Sequence, residues 1–172
     1  MLAGILILVI IHGEKESLRS IGLHNDHWGK SIGLAILLTI ISFVILLLIV
    51  AILPYFNVQV GGGESARYDS ISLWTMLFVV TRAGIVEELF YRGYLMERLN
   101  KISNGNQWVY FVLPLVVFAL AHYKQGVQGI FISFVAGLIL AVAYWKKRDL
   151  KANIMAHFLV DCIPNVLVPA FG

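Results

Sequence analysis

Three groups of ionisable side chains interrupt the otherwise apolar sequence of this 172-residue chain. The first is Glu87-Glu88-Leu89-Phe90-Tyr91-Arg92-Gly93, the second is His122 with Phe118 four residues before it, and the third is His157 with Asp161. A charged side chain at the centre of a membrane helix costs at least ~2.5–3.5 kcal/mol, so such residues are rare and usually face an interior cavity. Glu88 and Arg92 stand four residues apart, on one helix face, where they can pair and offset each other's cost. Glu87 is left without that partner, and an unpaired carboxylate in a poorly solvated site suits a general base or acid. His157 and Asp161 repeat the four-residue spacing. They could bind a metal together, the aspartate could orient the imidazole for catalysis, or the two could form a structural hydrogen bond. His122 alone reads equally as an interfacial hydrogen-bonded residue, and the Glu87–Arg92 group as a structural ion-pair network.

The elements that must carry these residues are membrane helices. The chain is 59% hydrophobic and 13% charged, with a mean hydropathy of +0.84, whereas soluble domains carry about 25% charged residues. Met1 to Ile11 is apolar but shorter than the ~20 residues that cross a bilayer, so it reads as a short or truncated helix entering the membrane. His12 to Lys30 is polar and broken by glycines, as in an interfacial loop or surface helix. Ser31 to Phe56 carries no charge and is the clearest span. Asn57 to Ser70, with Gly61-Gly62-Gly63, reads as an exposed turn. A second helix begins near Ile71 and leaves the membrane at Glu97 to Lys101. Gln107 to His122, Gln125 to Trp145 and Ala152 to Phe171 follow, kinked or interrupted by Pro114, Pro164 and Pro169. The expected fold is therefore all-α, a polytopic transmembrane bundle of about five spans. Residues 1–30 form a short apolar segment and polar loop, and residues 31–172 form the bundle.

The basic residues sit mainly in loops, so the formal charge of +3 reads as a topology signal rather than a nucleic-acid surface. If the spans alternate, one side holds Lys15, Arg19, Lys30, Arg98, Lys101, Lys146, Lys147, Arg148 and Lys151, and the other only Arg67 and Lys124. The first side is expected to be cytoplasmic. Arg82 and Arg92 lie within the second helix. Linear counting at 1.5 Å per residue places His157 ~9 Å from Lys151, Asp161 ~15 Å from it, Glu87 ~24 Å from Ile71 and His122 ~22 Å from Gln107. On straight helices that depth spread exceeds ~10 Å, so tilt, a break near Gly84 or a kink at Pro114 is needed to bring the three groups together.

Taken in order, Glu87-Glu88-x-x-x-Arg92, Phe118-x-x-x-His122 and His157-x-x-x-Asp161 resemble the motifs of the CPBP family, the CAAX-processing and bacteriocin-processing membrane proteases also called Abi proteins. The resemblance runs from about residue 70 to 172. It implies an intramembrane endopeptidase in which Glu87 and His122 activate water, His157 and Asp161 stabilise the oxyanion or hold a metal, and Glu88, Arg92 and Phe118 give structural support. The implied substrate is a peptide or protein at the membrane, prenylated or of the bacteriocin type, and the implied location is a bacterial cell membrane. No cofactor is firmly implied. A divalent metal such as zinc would take ligands from Glu87, His122, His157 and Asp161, although no His-Glu-x-x-His signature is present. Asp161 stands where prenyl-protein proteases commonly have asparagine, and an ionised aspartate cannot donate to an oxyanion, which favours a bacterial-type branch.

The remaining signals are structural. His24 and His27 read as solvated interfacial residues. Gly129, Ser133 and Gly137, at four-residue spacing, read as a close-packing face, and Trp74, Trp108, Tyr144 and Trp145 as interface anchors. Lone Cys162 offers no internal disulfide. The rival functions are a non-catalytic immunity or scaffolding protein that keeps the fold, and a transporter using the carboxylates as a proton relay.

Overall fold

The structure, a computed structural model, describes residues 2–56 and 71–171, and every regular element among them is helical. The exposed turn expected at Asn57 to Ser70, with Arg67, lies outside the described residues. Helix α1 is Leu2–Gly13, α2 is Trp28–Tyr55, α3 runs over residues 73–102, α4 is Trp108–Ala121, α5 is Tyr123–Lys147 and α6 is Leu150–Ala170. By length and composition α2, α5 and α6 can each cross a membrane, whereas α1 and α4 are apolar but shorter. The chain is thus an all-α bundle built for a bilayer.

Helix α2 shows how such a bundle packs. It is apolar all round, yet its buried positions are Ser31, Ala35, Leu38, Thr39 and Ser42, one helical stripe of mostly small or hydroxylated residues. Ile36, Leu37, Ile40, Val44, Leu47 and Leu48 face outward. Lipid is as apolar as leucine, so close approach of small residues drives packing rather than burial of large ones. Thr39 returns its hydroxyl to the Ala35 carbonyl at 2.8 Å. Ala35 and Leu38 then meet Leu140 and Ala143 of α5 and Ala156 of α6.

The expected interfacial loop is more deeply anchored than its polarity suggests. Ile10 and Ile21 are fully buried against Leu89, Met96, Tyr144 and Leu150. Gly22, at φ +73, sits so close to the Arg148 carbonyl that a Cβ there would lie 2.6 Å from it, and its own carbonyl accepts the Leu150 amide at 3.0 Å. This packing corrects the reading of Tyr144 as an interface anchor. Its ring is buried under the loop, and its hydroxyl donates to Glu97 Oε1 at 3.0 Å. Trp74, Trp108 and Trp145 remain exposed at helix ends.

Three helices change their winding near the motifs. In α3, residues Leu73–Glu87 are α-helical, Glu88–Met96 wind as a π-helix, and Glu97–Ile102 return to α. The helix does not break at Gly84. That residue is instead where α3 crosses α6, since a Cβ there would lie 3.2 Å from the Phe158 amide nitrogen. In α4 a π-helical turn, Trp108–Val112, precedes Pro114, and in α6 another begins at Ile163 beside Pro164. A wider turn accommodates the proline ring and its missing N–H.

Candidate active site

The π-helical segment of α3 opens with Glu88, which is fully buried. Its Oε1 accepts from Arg92 Nη1 at 2.8 Å and from His157 Nδ1, also at 2.8 Å, while Oε2 accepts from Asn153 Nδ2 at 3.0 Å. A buried carboxylate is tolerated only when its lone pairs are filled in this way. Arg92 reaches on to the Gly137 carbonyl at 3.0 Å and lies 4.3 Å from the centre of the Phe118 ring. The expected Glu88–Arg92 pair is therefore present, and it extends across α5 and α6.

Gly137 is the reason α4 and α5 come this close. A Cβ there would meet the Phe118 ring at 2.7 Å and Arg92 Nη2 at 3.1 Å. Phe118, 3% exposed, stands with its ring centre 5.0 Å from that of His122, 5.2 Å from that of Tyr91 and 6.2 Å from that of His157. His122 ends the α-helical part of α4, and its Nδ1 lies 2.9 Å from the Phe118 carbonyl oxygen. A carbonyl only accepts, so Nδ1 carries the proton and Nε2 keeps a free lone pair.

His157 has its Nδ1–H fixed on Glu88. Its Nε2 faces Asp161 Oδ2 at 3.5 Å and Glu87 Oε2 at 3.9 Å. Glu87 Oε2 is buried and has no hydrogen-bond partner among the described residues. Glu87, His122, His157 and Asp161 all line one cavity of 540 Å³, together with Phe118 and residues of α2 and α5. A second cavity of 270 Å³ shares Glu87 and His122 and adds Tyr91 and Lys124. The three motifs, which counting along straight helices left apart, thus line one cavity. Close crossings at Gly84, where α3 meets α6, and at Gly137, where α5 meets Phe118 of α4, draw these helices together.

Two features escaped the sequence reading. Asn153, fully buried, donates to both Glu88 Oε2 and the Leu140 carbonyl, at 3.0 and 2.9 Å. It stands four residues before His157 on the same helix face, the spacing that could have marked it. Orientation of His157 is the other. Its short contact is with Glu88, and the Asp161 contact is longer.

Residues 69–163, more than half of the chain, match the family described as Type II CAAX prenyl endopeptidase Rce1-like. The chain belongs to that family. Neither the curated proteins nor the solved structures compared with it gave a match. The matched Rce1-like segment contains all three motifs and ends just past Asp161. Membership brings a protease activity and a membrane-associated peptide or protein as substrate, in keeping with the long apolar helices. As for a metal, among the described residues no three His, Cys, Asp or Glu side chains are disposed to hold an ion. His122 and His157 each commit Nδ1 to a protein acceptor and leave Nε2 facing the cavity side. The described residues present no preformed three-ligand site.

The loop at His24–Asp26 is tied to Lys151 of α6. Asp26 lies 2.6 Å from His24 Nδ1, and Lys151 Nζ donates to the Asp26 carbonyl at 2.6 Å.

Proposed function

We propose that the chain is an intramembrane endopeptidase in which Glu87 and His122 activate the water that attacks a peptide bond. What supports this reading above all is Glu87, which lines the cavity it shares with His122 and whose buried Oε2 has no hydrogen-bond partner among the described residues. A water donating to the Glu87 carboxylate is deprotonated as its own oxygen bonds to the scissile carbonyl carbon. His157 Nε2–H supplies a donor for the developing oxyanion, and Asp161 holds that N–H before substrate arrives. When the tetrahedral species collapses, the C–N bond breaks and the proton taken by Glu87 passes to the leaving amine, with His122 as the alternative carrier. Glu88, Arg92, Asn153 and Phe118 hold these groups in register. Asp161 is a positioning residue in this scheme, because an ionised carboxylate only accepts.

The substrate is a peptide or protein terminus that reaches the bilayer, prenylated or of the bacteriocin type, and the basic loops face the cytoplasm of a bacterial cell. The family motifs occupy residues 70–172 of a bundle over residues 31–172. The test is peptide cleavage by the purified protein in detergent. Glu87→Ala and His122→Ala should each lower kcat by about 10²–10⁴-fold, the usual worth of a positioned acid or base. Retention of cleavage in both variants would refute the roles given to Glu87 and His122, and a wild type that cleaves nothing, with a cellular phenotype that survives both substitutions, would leave a non-catalytic immunity or scaffolding role as the better account. Cleavage should also survive chelation, and recovery on adding back zinc after chelation would refute the metal-free scheme.

A further inference from the structure

Arg82 lines the large cavity together with Glu87, His122, His157 and Asp161, and it is the one lysine or arginine among the lining residues. Arg92, Arg98 and Arg148 are each paired with a carboxylate. Arg82 has no such partner among the described residues, and its side chain is exposed. It lies about 13 Å along α3 from Leu73 at 1.5 Å per residue, so a helix that enters the bilayer at Leu73 carries it well inside a hydrocarbon core ~30 Å thick. An unpaired guanidinium at that depth is costly, and intramembrane charges are retained mainly where they meet a partner.

We propose that Arg82 is a specificity residue that binds the free C-terminal carboxylate of the peptide being cut. The proposal rests on the protease reading and deepens it. The guanidinium fork matches a carboxylate, and the pairing is charge-assisted. Glu87 is five residues further along α3, about 7.5 Å in axial rise. An extended peptide covers that distance in two or three residues, so a terminus held at Arg82 lies within a few residues of the bond presented to Glu87. A lipid phosphate belongs at the headgroup level, far from this depth. The carboxylates of the cavity, Glu87 and Asp161, repel an incoming anion and direct it toward the guanidinium.

The experiment compares three quenched fluorescent peptides of one sequence, with a free C-terminal acid, with a C-terminal amide, and with an amide plus an added glutamate near the end. The full-length protein is used in detergent micelles. The wild type should cleave the free acid on the order of 10-fold or more better in kcat/KM than either amide, mostly through KM. Arg82→Ala should bring that ratio to about 1 while still cleaving the amide, and Arg82→Lys should restore part of it. Lys124→Ala, which removes the cation of the smaller cavity, should leave the ratio in place. Equal cleavage of acid and amide by the wild type overturns the proposal, as does an unchanged ratio in Arg82→Ala or transfer of the loss to Lys124. If the glutamate amide matches the free acid, Arg82 reads any carboxylate and the claim for the terminus is wrong. If no peptide is cleaved, the protease reading fails separately. Binding of acid against amide to the wild type and to Arg82→Ala then decides the inference by the same ratio.

Discussion

Glu88 accepts hydrogen bonds from three directions at once, from Arg92, His157 and Asn153. Its removal therefore does more than delete a charge. Glu88→Ala leaves the 2%-exposed Arg92 as an uncompensated buried cation, a loss expected to cost about 3–5 kcal/mol. Asn153→Ala removes a neutral donor from a carboxylate that keeps its other partners, and about 1–3 kcal/mol is expected. Denaturation of the purified protein in mixed micelles should show the two variants in that order. Equal losses would mean that Arg92 is held by the Gly137 carbonyl and the Phe118 ring rather than by Glu88. The Glu88–Arg92 pair was legible in the sequence because four-residue spacing puts two side chains on one helix face. The Glu88–His157 contact joins residues on different helices and depends on the crossing at Gly84, which no local pattern encodes. Tyr144 misled for a related reason. An aromatic beside Lys146 and Lys147 looks like an interface residue until the loop around Gly22 is folded over it.

At the scale of the helix, the order of the spans and their approximate ends follow from apolar length and charge. Their winding does not. A rise of 1.5 Å per residue describes α-helical turns, whereas Trp108–Val112, on the way to His122, winds as a π-helix, and Glu88–Met96 does so directly after Glu87. Runs of i→i+5 bonding are seldom announced by composition and often lie at functional sites. The small-residue face on α5 was legible, and Gly137 is its decisive member because Phe118 occupies the space of a Cβ. Gly137→Ala is therefore expected to push α4 from α5, costing about 1–3 kcal/mol by overpacking. It should also lower cleavage, since His122 and the Arg92 anchor move with that contact. Helix content by circular dichroism should be unchanged. Adding Phe118→Leu should recover part of the stability, giving a positive coupling in the double-mutant cycle. Strict additivity would show that the two residues do not compete for the same space.

The core of the matched family segment is shared with residues that precede it, since Ile10 and Ile21 pack into the cluster of Leu89, Met96 and Leu150. The same N-terminal stretch is tied to the end of α3 by charge. Glu14 pairs with the Arg98 guanidinium and accepts from the Tyr94 hydroxyl at 3.0 Å, and Glu16 meets Lys101 at 2.6 Å. The Arg98 hydrogen bond comes first among the causes that hold the Glu14 carboxyl below its ordinary range, ahead of the opposing effect of burial. A carboxyl depressed in the folded state contributes stability that is fully present above its unfolded pKa of about 4.3 and is lost as pH falls through the lower folded value. Glu14→Gln should therefore destabilise the protein at neutral pH, by about 0.2–1 kcal/mol for a pair that solvent still screens. The difference from wild type should shrink steadily as the pH is taken below about 4. Thermal unfolding midpoints of both proteins in one detergent, measured at neutral and at acid pH, provide the check. A deficit that persists undiminished at low pH would mean that the Glu14 contact acts through packing and hydrogen bonding of the neutral side chain, and that the tie between α1 and α3 is not electrostatic.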